Sequence, residues 1–189
     1  GCFHRTLCPR AHPSLTIITI IIKAMRIKPT IGSVIAPTDD RHWGQVLILP
    51  TAYGVVEVVD EGGYAQSIGL GVLKKLSEKL SDPIVSLAEL EKIASDIQSE
   101  HLVSAVVLVP VGMVVYLLQI GDGAVYLSRA DSLSKLLTTA GSLSGTLIGG
   151  DTLLLVTKSF LCVIGESQLI GAFDHLDAKE IAEKLTLLL

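Results

Sequence analysis

The chain has 189 residues, which suits one domain, and 49% of them are apolar, so a large hydrophobic core can form without disulfides or a structural metal. The net charge is −4, and no run of Lys and Arg is longer than a pair, which excludes the basic surface that nucleic-acid binding requires. Aromatic residues make up 4% of the chain, too few for a base-stacking surface.

The first 24 residues differ in character from the rest. They contain Cys2, Cys8 and an apolar run at residues 15–22, which is far shorter than the ~20 residues that span a bilayer. We therefore predict that residues 1–24 are disordered or not native to the domain, and that the domain itself makes no membrane contact. The domain would cover residues 25–189, with an incomplete C-terminal end because the chain stops inside an apolar helical pattern.

The third cysteine, Cys162, lies in the very apolar stretch 160–164. The sequence has no CxxC motif and no Cys/His spacing typical of zinc sites. Because no His or cation stands near Cys162 to activate it, we predict a buried structural thiol rather than a nucleophile. A reducing, cytoplasmic location is the simplest inference.

Strands and helices follow one another in a clear order up to residue 101. Apolar runs bounded by turn residues predict three strands, at 31–35, 45–49 and 54–60. A helix is predicted over 64–80, because apolar residues recur there at helical spacing. A second helix begins at Ser86, which forms a capping box with Glu89.

From residue 102 the pattern returns to strands. The predicted strands are 103–109, 114–120, 124–129, 134–137, 145–148 and 152–157. A final helix starts near Asp177, where Asp177 and Glu180 have the spacing of another capping box.

Tight turns join most of these strands, so the sheets are antiparallel, because parallel strands need longer crossovers. Helices must cover sheet faces to bury their apolar stripes. The near-continuous apolar strands 103–109 and 152–157 favour burial on both faces. We therefore predict an α+β fold: a four-layer α-β-β-α sandwich of two antiparallel sheets with helices on the outer faces.

Three motifs, in this order, resemble those of the metal-dependent (PPM, type 2C) protein phosphatases. The sequence VVDEGG at 58–63 precedes the first helix, as Asp-Gly-x-Gly-Gly does in that family. Ser-Ala at 104–105 is followed by Gly-Asp-Gly at 121–123, where the family has Gly-Asp-Ser. An Asp, an apolar strand and Thr-Lys-Ser at 151–159 stand where the family ends in Thr-Asp-Gly.

The resemblance implies a metal-dependent hydrolase of phosphoserine and phosphothreonine proteins. Such enzymes use two divalent cations, Mn²⁺ or Mg²⁺, held by carboxylates, to activate water for direct attack on phosphate. Asp60 matches the aspartate that bridges the two cations, and Asp40 stands in the family's acidic pair. Glu61 replaces the first motif glycine and is an added oxygen ligand in this interpretation. The predicted metal ligands are thus Asp40, Asp60 and Glu61, with no catalytic residue assigned.

Lys158 departs from this pattern, since it replaces a metal-binding aspartate of the family. An ammonium there adds repulsion where a carboxylate would cancel charge, or it pairs with Asp60 and replaces one cation. Asp122 matches an aspartate peripheral to the main cations, and the family's last ligand would lie beyond Leu189. We therefore expect a catalytically impaired domain that regulates or binds a protein partner or phosphoprotein. The alternatives are an active metal-dependent phosphatase and a metal-free structural interaction domain.

Overall fold

A computed structural model describes residues 16–21, 30–35, 39–97, 102–130, 132–173 and 177–187. Within these ranges the first four strands are β1 (Thr16–Ile21), β2 (Thr30–Ile35), β3 (His42–Ile48) and β4 (Tyr53–Val59). The helices α1 (Ala65–Leu80) and α2 (Leu87–Ile97) follow. The next strands are β5 (Leu102–Val111), β6 (Val114–Ile120), β7 (Gly123–Arg129), β8 (Ser132–Leu137), β9 (Gly141–Thr146) and β10 (Thr152–Thr157). The last helices are α3 (Lys158–Val163), α4 (Glu166–Ala172) and α5 (Ala178–Thr186).

The strands form two five-stranded sheets, and the paired strands of each sheet run antiparallel. One sheet has the order β2-β1-β10-β7-β8 and the other β3-β4-β5-β6-β9. Helices α1 and α2 pack on the second sheet, and α3 and α5 pack on the first. The predicted α+β class and four-layer sandwich are therefore confirmed.

Three hydrophobic clusters fill the spaces between the four layers. Val56 packs with Leu76 beneath α1 and α2, whereas its neighbour Val55 packs with Leu155 between the two sheets. On the other side, Leu154 of β10 packs with residues of α3 to α5. Because successive strand residues point to opposite faces, β4 and β10 are buried on both faces, as the sequence predicts for β10.

Strand β1 lies within residues 1–24, the segment that the sequence predicts to be disordered or not native to the domain. Thr16–Ile21 pairs with β2 on one side and with β10 on the other, so it lies inside its sheet. The change in composition at residue 25 predicts a domain boundary, but the run of β-branched residues in 16–21 suits a central strand. The other residues of 1–24 lie outside the described ranges, and the boundary at residue 25 passes between two paired strands.

The sequence did not predict helices α3 and α4, which have six and seven residues. Elements of one or two turns show too little periodicity to be recognised. Cys162 lies on α3 and is exposed, and its sulfur is disulfide-bonded. The predicted buried thiol is therefore wrong, and the argument from it to a reducing compartment loses its support. None of the helices in the described ranges has the length and apolar character needed to cross a membrane.

Candidate functional site

Asp60 directly follows β4 and organises the turn that leads into α1. Its backbone N–H donates to the carbonyl of Arg41 at 2.9 Å, and its Oδ2 accepts the backbone N–H of Tyr64, also at 2.9 Å. Gly63 has a φ of +83°, which favours glycine at this point of the turn. Asp60 therefore has a structural role at the end of β4, where it stabilises the turn before α1, whatever else it binds.

Asp40 and Glu61 lie on two loops that meet beside Asp60. Asp40 is exposed, and its carbonyl accepts the N–H of Ala65 at 3.2 Å. Glu61 is exposed in the turn after Asp60. Among the residues that the structure describes, no group of three or more His, Cys, Asp or Glu side chains is placed to hold a metal ion. The assignment of Asp40, Asp60 and Glu61 as metal ligands stays a prediction.

Asp39, the other member of the acidic pair, stabilises its own loop. Its Oδ1 accepts the backbone N–H groups of Arg41 at 2.8 Å and His42 at 2.7 Å, and the Nδ1 of His42 lies 3.0 Å away. The hydrogen bond from Arg41, helped by those from His42, holds the pKa of Asp39 below its usual value and outweighs the opposing effect of desolvation.

Lys158 pairs with Asp122 rather than with Asp60, which corrects one of the two roles expected for it. Its Nζ lies 2.7 Å from Oδ2 of Asp122, in the turn between β6 and β7. The hydroxyl of Ser104 donates to the carbonyl of Asp122. Nε2 of the buried Gln119 donates to the carbonyl of Gly123 at 3.2 Å. These contacts fix the turn that presents Asp122 to Lys158.

Glu57, in the middle of β4, is a buried carboxyl that the sequence analysis missed. It is 2% exposed, and it accepts two hydrogen bonds from Ser159, one from the hydroxyl and one from the backbone N–H at 3.2 Å. Burial raises the pKa of Glu57, and the bonds from Ser159 counter this in part. An isolated Glu within the run of valines at 55–59 was the available signal, because a buried carboxyl needs a partner elsewhere.

A small cavity lies between these groups, with a volume of about 20 Å³, enough for about one water molecule. It is lined by Glu57, Val59, Ser104, Asp122, Lys158 and Ser159. Five of these six residues, all except Val59, hydrogen-bond or pair with another lining residue. The wall of the cavity is therefore mainly polar, and its polar groups have partners. The predicted ligands Asp40, Asp60 and Glu61 are not among its lining residues.

Solved structures of known proteins share this architecture. The catalytic domain of the serine/threonine protein phosphatase PstP, in complex with two manganese ions, superposes with a TM-score of 0.67 at 13% identity, covering 93% of this chain and 92% of that one. PppA of Pseudomonas aeruginosa gives a TM-score of 0.65 at 13% identity, with 93% and 92% covered. The phosphatase domain of SpoIIE from Bacillus subtilis gives 0.56 at 15% identity, with 94% and 85% covered.

No protein-family model and no curated protein sequence matches the chain. Identities of 13–15% show the fold and not the activity. The chain therefore has the fold of the PPM-type serine/threonine phosphatases, and the resemblance noted in its motifs is confirmed at that level.

Proposed function

We propose that this PPM-fold domain has impaired or absent phosphatase activity and serves as a regulatory or binding domain for a protein or phosphoprotein partner. The observation that carries the proposal is the contact between Lys158 and Asp122. It places a lysine ammonium, 2.7 Å from a carboxylate, at the position where the resemblance implies a metal-binding aspartate.

The positive charge of Lys158 is the physical reason to expect weak metal binding and impaired activity. A two-cation centre needs several carboxylates to balance the positive charge of the metals, since hard cations take oxygen ligands. The ammonium of Lys158 repels a nearby cation, and it also occupies the carboxylate of Asp122. One carboxylate oxygen of Asp60 accepts the N–H of Tyr64, which leaves fewer free oxygen atoms at the end of β4.

The surface beside the turn at residues 60–64 supports a binding role. The side chain of Tyr64 is 68% exposed, and its ring lies beside Gly62. Exposed tyrosines are enriched at protein interfaces because one ring combines apolar area with a hydroxyl group. A partner that contacts the turn at 60–64 would cover this ring.

The competing function is an active phosphatase that uses Mn²⁺ or Mg²⁺ bound by Asp40, Asp60 and Glu61. One observation favours it: the manganese-bound PstP domain has the same fold. A metal-free structural interaction domain is the third possibility, and the same experiment separates all three.

The test is calorimetric titration of Mn²⁺ into the full 189-residue chain, together with hydrolysis of a phosphothreonine peptide. The variants are Lys158→Asp, Asp60→Ala and, as a matched charge reversal on the exposed face of α1, Lys75→Asp. We expect no hydrolysis by the wild type and an increase of about tenfold or more in Mn²⁺ affinity for Lys158→Asp, but not for Lys75→Asp.

Hydrolysis by the wild type that Asp60→Ala abolishes and that Lys158→Asp does not increase would establish the active enzyme and overturn the proposal. Folded samples that give no heat at millimolar Mn²⁺ in any variant would favour the metal-free interaction domain instead.

A further inference from the structure

The carboxyl of Glu57 connects parts of the chain that belong to different sheets. Glu57 lies on β4 of one sheet, whereas Ser159 lies in the first turn of α3, directly after β10 of the other sheet. Its two carboxylate oxygens accept both hydrogen bonds that Ser159 donates. Whatever changes the charge of Glu57 therefore acts on the attachment of α3 to β4.

The charged groups around Glu57 already have other partners. The ammonium of Lys158, on the adjoining cavity wall, pairs with Asp122, which borders the same cavity. The ring of His42, on β3, contacts Asp39, although its charge exerts a weak attraction on Glu57. From β5, the residue opposite Glu57 is the uncharged Ser104. An ionised Glu57 would thus be buried with two hydrogen bonds and without a close counter-ion among the described residues.

The hydroxyl of Thr157 is a further polar group near Glu57. Its Oγ1 is buried and makes no hydrogen bond in the described part of the chain. A hydroxyl can donate to an ionised carboxyl or accept from a protonated one, so Thr157 suits both states of Glu57. What favours the protonated state is the burial of Glu57 without a close counter-ion among the residues that the structure describes.

We propose that Glu57 is a proton-binding group that controls the docking of α3: protonated, it holds the first turn of α3 against β4, and ionised, it favours a hydrated arrangement in which that turn moves away. The cavity beside Glu57 already has room for about one water molecule, so water can reach the carboxylate through a small displacement. This mechanism does not depend on phosphatase activity or on a metal.

The coupling between proton binding by Glu57 and the opening of α3 determines how opening depends on pH. Burial raises the pKa of Glu57 above its ordinary value of 4.5 in the closed arrangement, whereas hydration in the open one restores it. The opening equilibrium constant therefore rises with pH, by about tenfold per pH unit between the two values, and then levels off. The charge of Glu57 therefore governs how firmly α3 is held against β4 at this end of the sandwich.

Amide hydrogen exchange of residues 159–163 in the full chain, between pH 5 and pH 8, tests the proposal. After correction for intrinsic rates, we expect the opening constant of these amides to rise with pH in the wild type. The variant Glu57→Gln should remove that dependence. Glu78→Gln, the same change at an exposed site on α1, should keep it.

A carbon-13 NMR titration of the Glu57 carboxyl gives a readout that does not depend on whether Glu57→Gln folds. A midpoint above 4.5 is expected, and a midpoint at or below 4.5 would overturn the proposal. The proposal also fails if Glu57→Gln keeps the wild-type pH dependence of exchange. It fails likewise if the amides of β5 exchange with the same pH dependence as those of α3, because parallel exchange would mean global unfolding instead of local release of α3.

Discussion

The ammonium of Lys158 and the carboxylate of Asp122 meet at 2.7 Å, and this contact joins the start of α3 to the turn between β6 and β7. The side chains are 38% and 61% exposed, so the pair contributes little to the free energy of unfolding. Its importance is local, because it neutralises the ammonium of Lys158 beside the cavity.

Gly69 permits close contact between α1 and β3. A Cβ atom added at Gly69 would overlap the ring of the buried Trp43, whereas one added at Gly71 on the same helix meets nothing within 4 Å. We expect Gly69→Ala to lower the free energy of unfolding by about 1–3 kcal/mol through overpacking. Gly71→Ala should raise it by about 0.5–1 kcal/mol through helix propensity. Urea denaturation of both variants measures the difference, and equal effects would contradict the packing described.

Asp151 holds the loop before β10 through three hydrogen bonds. Its side chain is 1% exposed and accepts Arg129 Nε at 2.8 Å, Arg129 Nη2 at 2.6 Å and the N–H of Ile148 at 2.9 Å. We expect Asp151→Asn to reduce the free energy of unfolding by about 1–3 kcal/mol, because the buried carboxylate loses its charge-assisted hydrogen bonds to the half-exposed Arg129. Asp96→Asn, at the exposed pair with Lys79, is the control and should have a clearly smaller effect in the same denaturation assay.

Glu57 should make the global stability depend on pH in one direction. Because its pKa in the folded state is raised above 4.5, its contribution to stability is fully present below that pH. The contribution is lost as pH rises through the folded-state value. Glu57→Gln should therefore gain stability relative to the wild type on going from pH 4 to pH 8, by about 1.4 kcal/mol for each unit of the raised pKa. Melting curves across this range measure it, and a difference that does not change with pH would contradict a raised pKa.

Removal of residues 1–24 should prevent cooperative folding. The deletion takes away β1, so β2 and β10 each lose a hydrogen-bonded neighbour. Circular dichroism and thermal melting of residues 25–189, compared with the full chain, test this expectation. A cooperative transition at an unchanged temperature in the shortened protein would show that β1 is dispensable.

Much of the fold could be predicted because hydrophobic periodicity and turn residues act locally. The helix predicted over 64–80 is α1, and the strand predicted over 152–157 is β10. The capping box of Asp177 and Glu180 is confirmed, with Asp177 accepting the N–H of Glu180 at 2.9 Å. Such signals lie within a few residues of one another, so a single sequence is enough to recognise them.

The site was harder to predict, because its contacts connect residues far apart in the chain. Glu57 and Ser159 are 102 positions apart, and Lys158 and Asp122 are 36 apart. The resemblance predicts Asp60 as a partner of Lys158, whereas Lys158 pairs with Asp122. Asp122 lies beside Lys158 because β10 pairs with β7, with Thr157 opposite Gly123, and local sequence does not encode which distant strands pair.

The position of β1 has a consequence for the order in which the two sheets form during synthesis. The sheet of β3, β4, β5, β6 and β9 uses residues between His42 and Thr146, so all its strands have left the ribosome before β10 is made, although β7 and β8 of the other sheet come between β6 and β9. In the other sheet Ile17 pairs with Val156, so β1 must wait for almost the whole chain before its ladder with β10 can close. Such long-range pairing is slow, and the waiting strand exposes unpaired backbone that is prone to aggregation. The nascent chain therefore needs protection at its N-terminal end until β10 has been made.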